Sequence, residues 1–380
     1  MFAVHADRSG RVVVANDRTA AGWNGLRDVP LEPVVPLPEG SELVPLPRDA
    51  CAFDRGGRVR PLAAGRLALG ALLPPGYLRA LHPSYVDTDA LAPLEPRSYA
   101  AVGADDRGAL HVAAVRYPER VPAVAAEADA RPGSDRASRQ AVRCARANSC
   151  LEARAVLGHR GVGALPFAAP VAERPDAALA MAGPCSARVR ERASIEASAE
   201  EIAALALAHL RGGGSAVAFG RSCDGEPLAS ARTIESAVAR VREGLPQAHV
   251  SVETLGTSAS KLTRLARAGV ADVTVRLASA RRDTHERIHR PVGWGFADLR
   301  ASISAAREAG LRLSLAVLVL PGLTDRPSEL DAIAELAQDA GARVELRDLG
   351  ADPQRALALV RTGEAPLGIG VLVARLAGAE

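Results

Sequence analysis

Residues 215–228 read Ser215-Ala216-Val217-Ala218-Phe219-Gly220-Arg221-Ser222-Cys223-Asp224-Gly225-Glu226-Pro227-Leu228. A short apolar run ends in a polar turn, and a helical pattern follows. The unit recurs as far as Pro353. Apolar runs at 215–219, 248–254, 271–277, 312–320 and 342–347 alternate with helical periodicity at 229–243, 258–268, 282–289 with 296–309, 326–340 and 353–361. Short apolar runs separated by helix-length crossovers predict parallel strands with right-handed connections. A further strand at 163–171 brings the number to six, too few for a closed eight-fold barrel and suited to an open, partial one. In such sheets ligands bind at the C-terminal ends of the strands, where the Gly-Glu-Pro turn falls.

Working outward, Ser198-x-x-Glu201 predicts a capped helix from Ala199 to about Leu210. The glycines at 212–214 end that helix and precede a strand, so they are a C-cap and no phosphate loop. Asp135 is an N-cap for one helix of about 20 residues running towards Leu157. Residues 119–134 form a linker with Arg131-Pro132-Gly133-Ser134 at its end. Before it the chain is β-rich. Asp7-Arg8-Ser9-Gly10 and Asp105-Asp106-Arg107-Gly108 each separate two β-type runs, which predicts hairpins. The division is 1–118 as a β-rich domain, 119–160 as linker and bridging helix, and 161–380 as the barrel. The β-rich part carries no chemical motif.

Composition narrows the classes. The chain has 380 residues and is 48% hydrophobic, so it is globular with room for two domains. Aromatics are only 3%, so the core is built from Ala, Val and Leu. Net charge is +3, and no basic stripe is interleaved with aromatics, which argues against nucleic acid as a partner. Lys261 is the single lysine among 47 basic residues, a bias that reads as a GC-rich genome. No apolar run reaches the length of a membrane span, and the N-terminus lacks a signal segment. A cytoplasmic protein is expected. The five cysteines, Cys51, Cys144, Cys150, Cys185 and Cys223, contain no Cys-x-x-Cys, which speaks against a disulfide framework or zinc ribbon.

From Ile195 to Pro353 the chain resembles a radical S-adenosylmethionine (SAM) domain, in particular that of a prokaryotic family with an N-terminal β-rich extension. The resemblance is carried by several stretches in order. They are 218–227 with Gly225-Glu226-Pro227, Leu265-Ala266-Arg267-Ala268-Gly269-Val270 running into 271–275, and Thr284 through Pro291 to Gly293. Two more follow, Glu308-Ala309-Gly310-Leu311 to Leu320-Pro321-Gly322-Leu323-Thr324-Asp325, and Leu346-Arg347-Asp348-Leu349 with Asp352-Pro353. It implies a partial (β/α)6 TIM-like barrel of the radical SAM type behind a β-rich domain. It also implies SAM as cofactor, with its amino group on the backbone of Gly225, Glu226 and Pro227, and its adenine near Leu320 and Gly322. Arg276 and Arg347, at the ends of the fourth and sixth strands, line the same cleft.

The family holds a [4Fe–4S] cluster on Cys-x-x-x-Cys-x-x-Cys after the first strand. Aligned on Leu165-Pro166 and on Glu200-Glu201-Ile202, those positions fall at Val171, Pro175 and Ala178, none of which ligates iron. Arg276 and Ala316 also stand where the family pattern has small or polar residues. The expectation is a degenerate domain with its cluster ligands lost and a non-catalytic or altered small-molecule-binding role, its partner an unknown small molecule or protein. The alternative is an active radical SAM enzyme with atypical ligands, such as Cys144, Cys150 and Cys185. On one helix, Cys144 and Cys150 would project roughly 120° apart. A third reading is a zinc hydrolase through His285-Glu286-Arg287-Ile288-His289, two histidines on one helix face with Glu286 as base. Pro291 ends that short, charged segment, and no third ligand follows at a familiar spacing.

Overall fold

The Ser198 hydroxyl accepts a hydrogen bond from Glu201 N, and the Glu201 carboxylate accepts one from Ser198 N, so the expected capping box starts its helix. The computed structural model describes residues 1–87, 91–117, 135–147, 150–166, 169–180, 196–221 and 225–377. Its six parallel strands are β1 (Val162–Ala164), β2 (Ala216–Phe219), β3 (Val250–Thr254), β4 (Asp272–Leu277), β5 (Arg312–Val319) and β6 (Arg343–Asp348). They lie side by side in chain order. The helices are α1 (Arg136–Ala147), α2 (Leu151–Leu157), α3 (Ala199–Arg211), α4 (Ala231–Gly244), α5 (Ala259–Ala268), α6 (Arg282–His289), α7 (Phe296–Glu308), α8 (Pro327–Ala340), α9 (Pro353–Leu359) and α10 (Ile369–Ala377).

One face of this half-barrel is a continuous apolar layer. Val252, Val275, Leu315 and Val317 bury against Ile234 and Val238 of α4, Leu262 of α5, Leu299 of α7 and Ile333 of α8. Each such side chain contributes about 1.5–3 kcal/mol. The alternate residues, on the opposite face, are polar: Glu253 on β3, Arg276 on β4, Glu345 and Arg347 on β6. The register sets Arg276 beside Ala316, and Ala316 beside Glu345, which gathers these charges at one level.

The N-terminal part forms a twelve-stranded antiparallel sheet between Phe2 and Arg116. Both expected hairpins are present. Its core is built largely of alanines, among them Ala3, Ala52, Ala68, Ala100 and Ala114. The sheet docks on the C-terminal ends of β5 and β6. Buried Arg79 lies 3.1 Å from Asp348 and also donates to the carbonyl of Leu349. His82 Nε2 is 2.9 Å from the carbonyl of Pro321.

Two expectations need correction. The first strand is expected over 163–171, but among the described residues it spans Val162–Ala164. The chain leaves the sheet at Leu165-Pro166, and Pro166 and Pro170 have no N–H to extend the ladder. The single helix towards Leu157 is two helices, with Cys150 capping the second. The expected linker at 119–134 lies outside the described residues. Among those residues no helix is long and apolar enough to cross a membrane.

Candidate functional site

Gly225 has φ +96°, and a Cβ there would stand 2.4 Å from the carbonyl oxygen of Ala169. Only glycine fits so close a backbone approach. The next amide, Glu226 N, donates to Pro170 O at 3.1 Å. The Glu226 carboxylate is buried. It accepts from Leu228 N at 3.0 Å, from Leu255 N at 2.8 Å and from the Thr254 hydroxyl. Burial raises its pKa, and these donors only partly offset that. Pro227 opens the short 3-10 turn Pro227–Ser230 that follows. Glu226 thereby ties the end of β2 to the end of β3.

Glu253 is the centre of a charged wall on the inner face. Arg347 Nη1 lies 2.9 Å from both Glu253 oxygens, and its Nη2 is 3.0 Å from Glu345. Arg276 Nε stands 3.8 Å from Glu253. Arg221, just past β2, donates to Glu152 of α2 at 3.2 Å. Burial pushes the Glu253 pKa up, but Arg347, Arg276 and Arg221 together outweigh it and hold it below the usual range. For Glu152 burial dominates, Arg221 opposes it and Glu253 adds repulsion, so its pKa is raised. Burial disfavours charged Arg347, yet Glu253 and Glu345 win and raise its pKa. Three arginines face three glutamates. This polar wall can pair with a ligand that carries charge of either sign.

Above the wall the chain covers its own strand ends. Residues 169–180 run from the Gly-Glu-Pro turn across to the end of β6. On the way Val292 N donates to Ala172 O at 2.9 Å, and the Trp294 indole donates to the same oxygen. Glu173 meets His289 Nδ1 at 2.7 Å. At the far end Asp352 N donates to Ala178 O at 2.8 Å, and Leu179 pairs with Ala351. Ala178 and Leu179 join Ala278, Ile288, Leu318, Leu320 and Leu349 in an apolar cluster at the mouth.

The expected site residues therefore divide. Arg276 and Arg347 pair with Glu253, while Glu226 of the Gly225-Glu226-Pro227 turn bonds to the neighbouring Thr254 and Leu255. Leu320 is inside the apolar cluster, and Gly322 faces the N-terminal sheet, where a Cβ would stand 2.5 Å from Gly25 Cα. The sequence reading missed Glu253, Glu152 and Arg221 as members of the wall. A glutamate at the end of a strand beside two arginine-bearing strands was the available signal.

The strap 169–180 carries no thiol. Val171 and Pro175 are half-buried and Ala178 is buried. These residues do not fit a three-thiolate iron–sulfur site. Cys144 lies in α1 and Cys150 caps α2, with Cys150 N 3.2 Å from Cys144 O. The two sit on separate helices, which removes the geometric objection that a single helix raised. Cys185 and Cys223 lie outside the described residues. His285 and His289 share a buried face of α6, and Glu286 lies on its exposed side.

The radical SAM superfamily model matches residues 184–337. No curated protein matches the chain. Among solved structures, a radical SAM methyltransferase from Sphaerobacter thermophilus is 18% identical over 44% of this chain and 56% of its own, with a TM-score of 0.34. A radical SAM methyltransferase from Kitasatospora setae, with tryptophan substrate and a SAM analog bound, is 16% identical over 51% of this chain and 38% of its own, with a TM-score of 0.38. SuiB from Streptococcus suis, bound to SAM, is 12% identical over 56% and 44%, with a TM-score of 0.36. The chain thus spans about half the length of such structures or less. The matched segment runs from before β2 into α8, and over it this chain carries a radical SAM superfamily domain.

Proposed function

We propose that this domain works without reductive SAM cleavage, as a binding module whose charged inner wall holds a small molecule. One observation carries the reading. The strap after β1 carries no thiol, and its Ala178 and Leu179 pack on Leu318 and Leu320 at the strand ends. The Gly225-Glu226 turn is engaged by the strap at the same time. Arg276, Arg347 and Glu253 form a largely buried polar wall, and an ammonium or carboxylate group on a ligand would compete with their mutual pairing. The chain is read as a cytoplasmic protein in three parts, 1–118, 119–160 and 161–380, with neither nucleic acid nor membrane as partner. Anaerobic reconstitution with iron and sulfide tests the cluster. The reading expects no cluster absorption and no bound sulfide. About four irons and four sulfides per chain would sink it.

A second reading has its own support. The matched span begins at residue 184, so it contains Cys185 and Cys223 but excludes Val171, Pro175 and Ala178. On that reading the cluster ligands are atypical and the enzyme is active. Cys185→Ala would then abolish cluster formation, and an unchanged iron content would exclude Cys185 as a ligand.

A further inference from the structure

Two thiols meet at the elbow between α1 and α2. Cys144 lies near the end of α1 and is half-buried, and buried Cys150 caps α2. Cys150 N donates to the Cys144 carbonyl at 3.2 Å. A backbone bond of that length sets the two α-carbons about 5–6.5 Å apart, inside the roughly 4.4–6.8 Å that a disulfide spans. On one unbroken helix the same pair would stand about 9 Å apart along the axis. The break between the helices is what brings the thiols together.

The surroundings of Cys144 favour a thiolate. Gln140, one turn earlier and buried, donates its side-chain amide to Cys144 Sγ at 3.2 Å. Such a bond is stronger to the charged form of the sulfur. Helix α1 carries four arginines and no acidic residue, and Arg143 and Arg146 flank the thiol in sequence. Cys51 is the contrast: burial and the Asp28 carboxylate push its thiol up to about 11. Two residues past Cys150, Glu152 pairs with Arg221 at the charged wall. A covalent link at the elbow would pin the start of α2 and hold that glutamate in place.

We infer that Cys144 and Cys150 form a reversible disulfide when the protein meets a hydroperoxide, with Gln140 as the positioning residue. The Cys144 thiolate attacks one peroxide oxygen. An S–O bond forms, the O–O bond breaks, and the second oxygen leaves as water once protonated. The Cys150 thiol then loses its proton and attacks the Cys144 sulfur. The S–S bond forms, the S–O bond breaks, and a second water leaves. Two thiols are oxidised and one hydrogen peroxide is reduced. In a reducing compartment such a pair acts as a switch and not as a permanent staple. This is independent of what the half-barrel binds.

The test uses full-length protein, reduced and freed of iron with a chelator, so that it reads the thiols whether or not they can also ligate a cluster. Hydrogen peroxide is added and remaining thiols are blocked with N-ethylmaleimide. The protein is then digested with trypsin and mapped by mass spectrometry. Cleavage after Arg143, Arg146 and Arg154 places the two cysteines on separate peptides, 144–146 and 147–154. Those peptides should appear joined and should separate after dithiothreitol, while Cys51 stays reduced. In Cys150→Ser the reaction should stop at a sulfenic acid on Cys144, captured by dimedone. Gln140→Leu should shift the pH profile of Cys144 labelling upward by about one unit, since a hydrogen bond to a charged group is worth roughly tenfold. Both cysteines fully alkylated after peroxide, either one joined to a different cysteine instead, or an unchanged pH profile in folded Gln140→Leu would each overturn the proposal.

Discussion

Three donors converge on Glu226, and they come from its own turn and from the end of β3, up to 29 residues away. Its carboxylate is therefore a structural tie. Glu226→Ala should destabilise the protein by about 2–4 kcal/mol, since it leaves buried donors unmet. Urea unfolding measures this, and a loss within about 0.5 kcal/mol would contradict it. Asp325 makes a pH prediction. Burial lifts its pKa from 3.8 to about 6, although Gly322 N donates to it at 2.7 Å. Between those values the folded state holds a proton that the unfolded state has released. Its contribution therefore falls as pH rises from about 4 to 6, by about 3 kcal/mol for a shift of roughly two units. Asp325→Asn removes this term. Its stability relative to wild type should rise between pH 4 and 7, and a constant difference across that range would show that the carboxyl titrates normally.

Helix and strand boundaries were legible wherever local chemistry marks them. The Ser198 box, the Gly269 and Gly341 C-caps and the Asp7 and Asp105 hairpin turns are written in neighbouring residues. The charged wall was not, because its pairs are distant in sequence: Glu152 and Arg221 are 69 residues apart, and Glu253 and Arg347 are 94 apart. Residues 169–171 read as the end of the first strand because they are apolar, while the strap's hydrogen bonds go to the Gly-Glu-Pro turn, to the segment from His289 to Trp294 and to residues 351–352. Gly322 illustrates a turn fixed by packing. It has φ +84°, and a side chain there would meet the Gly25 backbone. Gly341 has φ +58° with open space around it. Gly322→Ala should exceed Gly341→Ala in lost stability by at least about 1 kcal/mol, the excess coming from the displaced N-terminal sheet. Thermal unfolding of the two variants decides it, and equal losses would mean that the docking is loose.

Taken as a whole, the molecule is a half-barrel with its mouth covered from two sides. Residues 169–180 cross it, and the N-terminal sheet closes over β5 and β6 through Arg79, His82 and the Asn24-Gly25 turn. That arrangement leaves the parallel strands in chain order, with paired charges on their inner face and aliphatic side chains at the mouth; the proposed reading is that these stand in place of a working SAM and cluster site. The most direct test is product formation. Protein reconstituted anaerobically with iron and sulfide is given SAM and dithionite, and 5′-deoxyadenosine is measured by chromatography. The account predicts no more product than in a protein-free control. Sustained 5′-deoxyadenosine formation that is lost on replacing Cys144, Cys150 or Cys185 by alanine would contradict it.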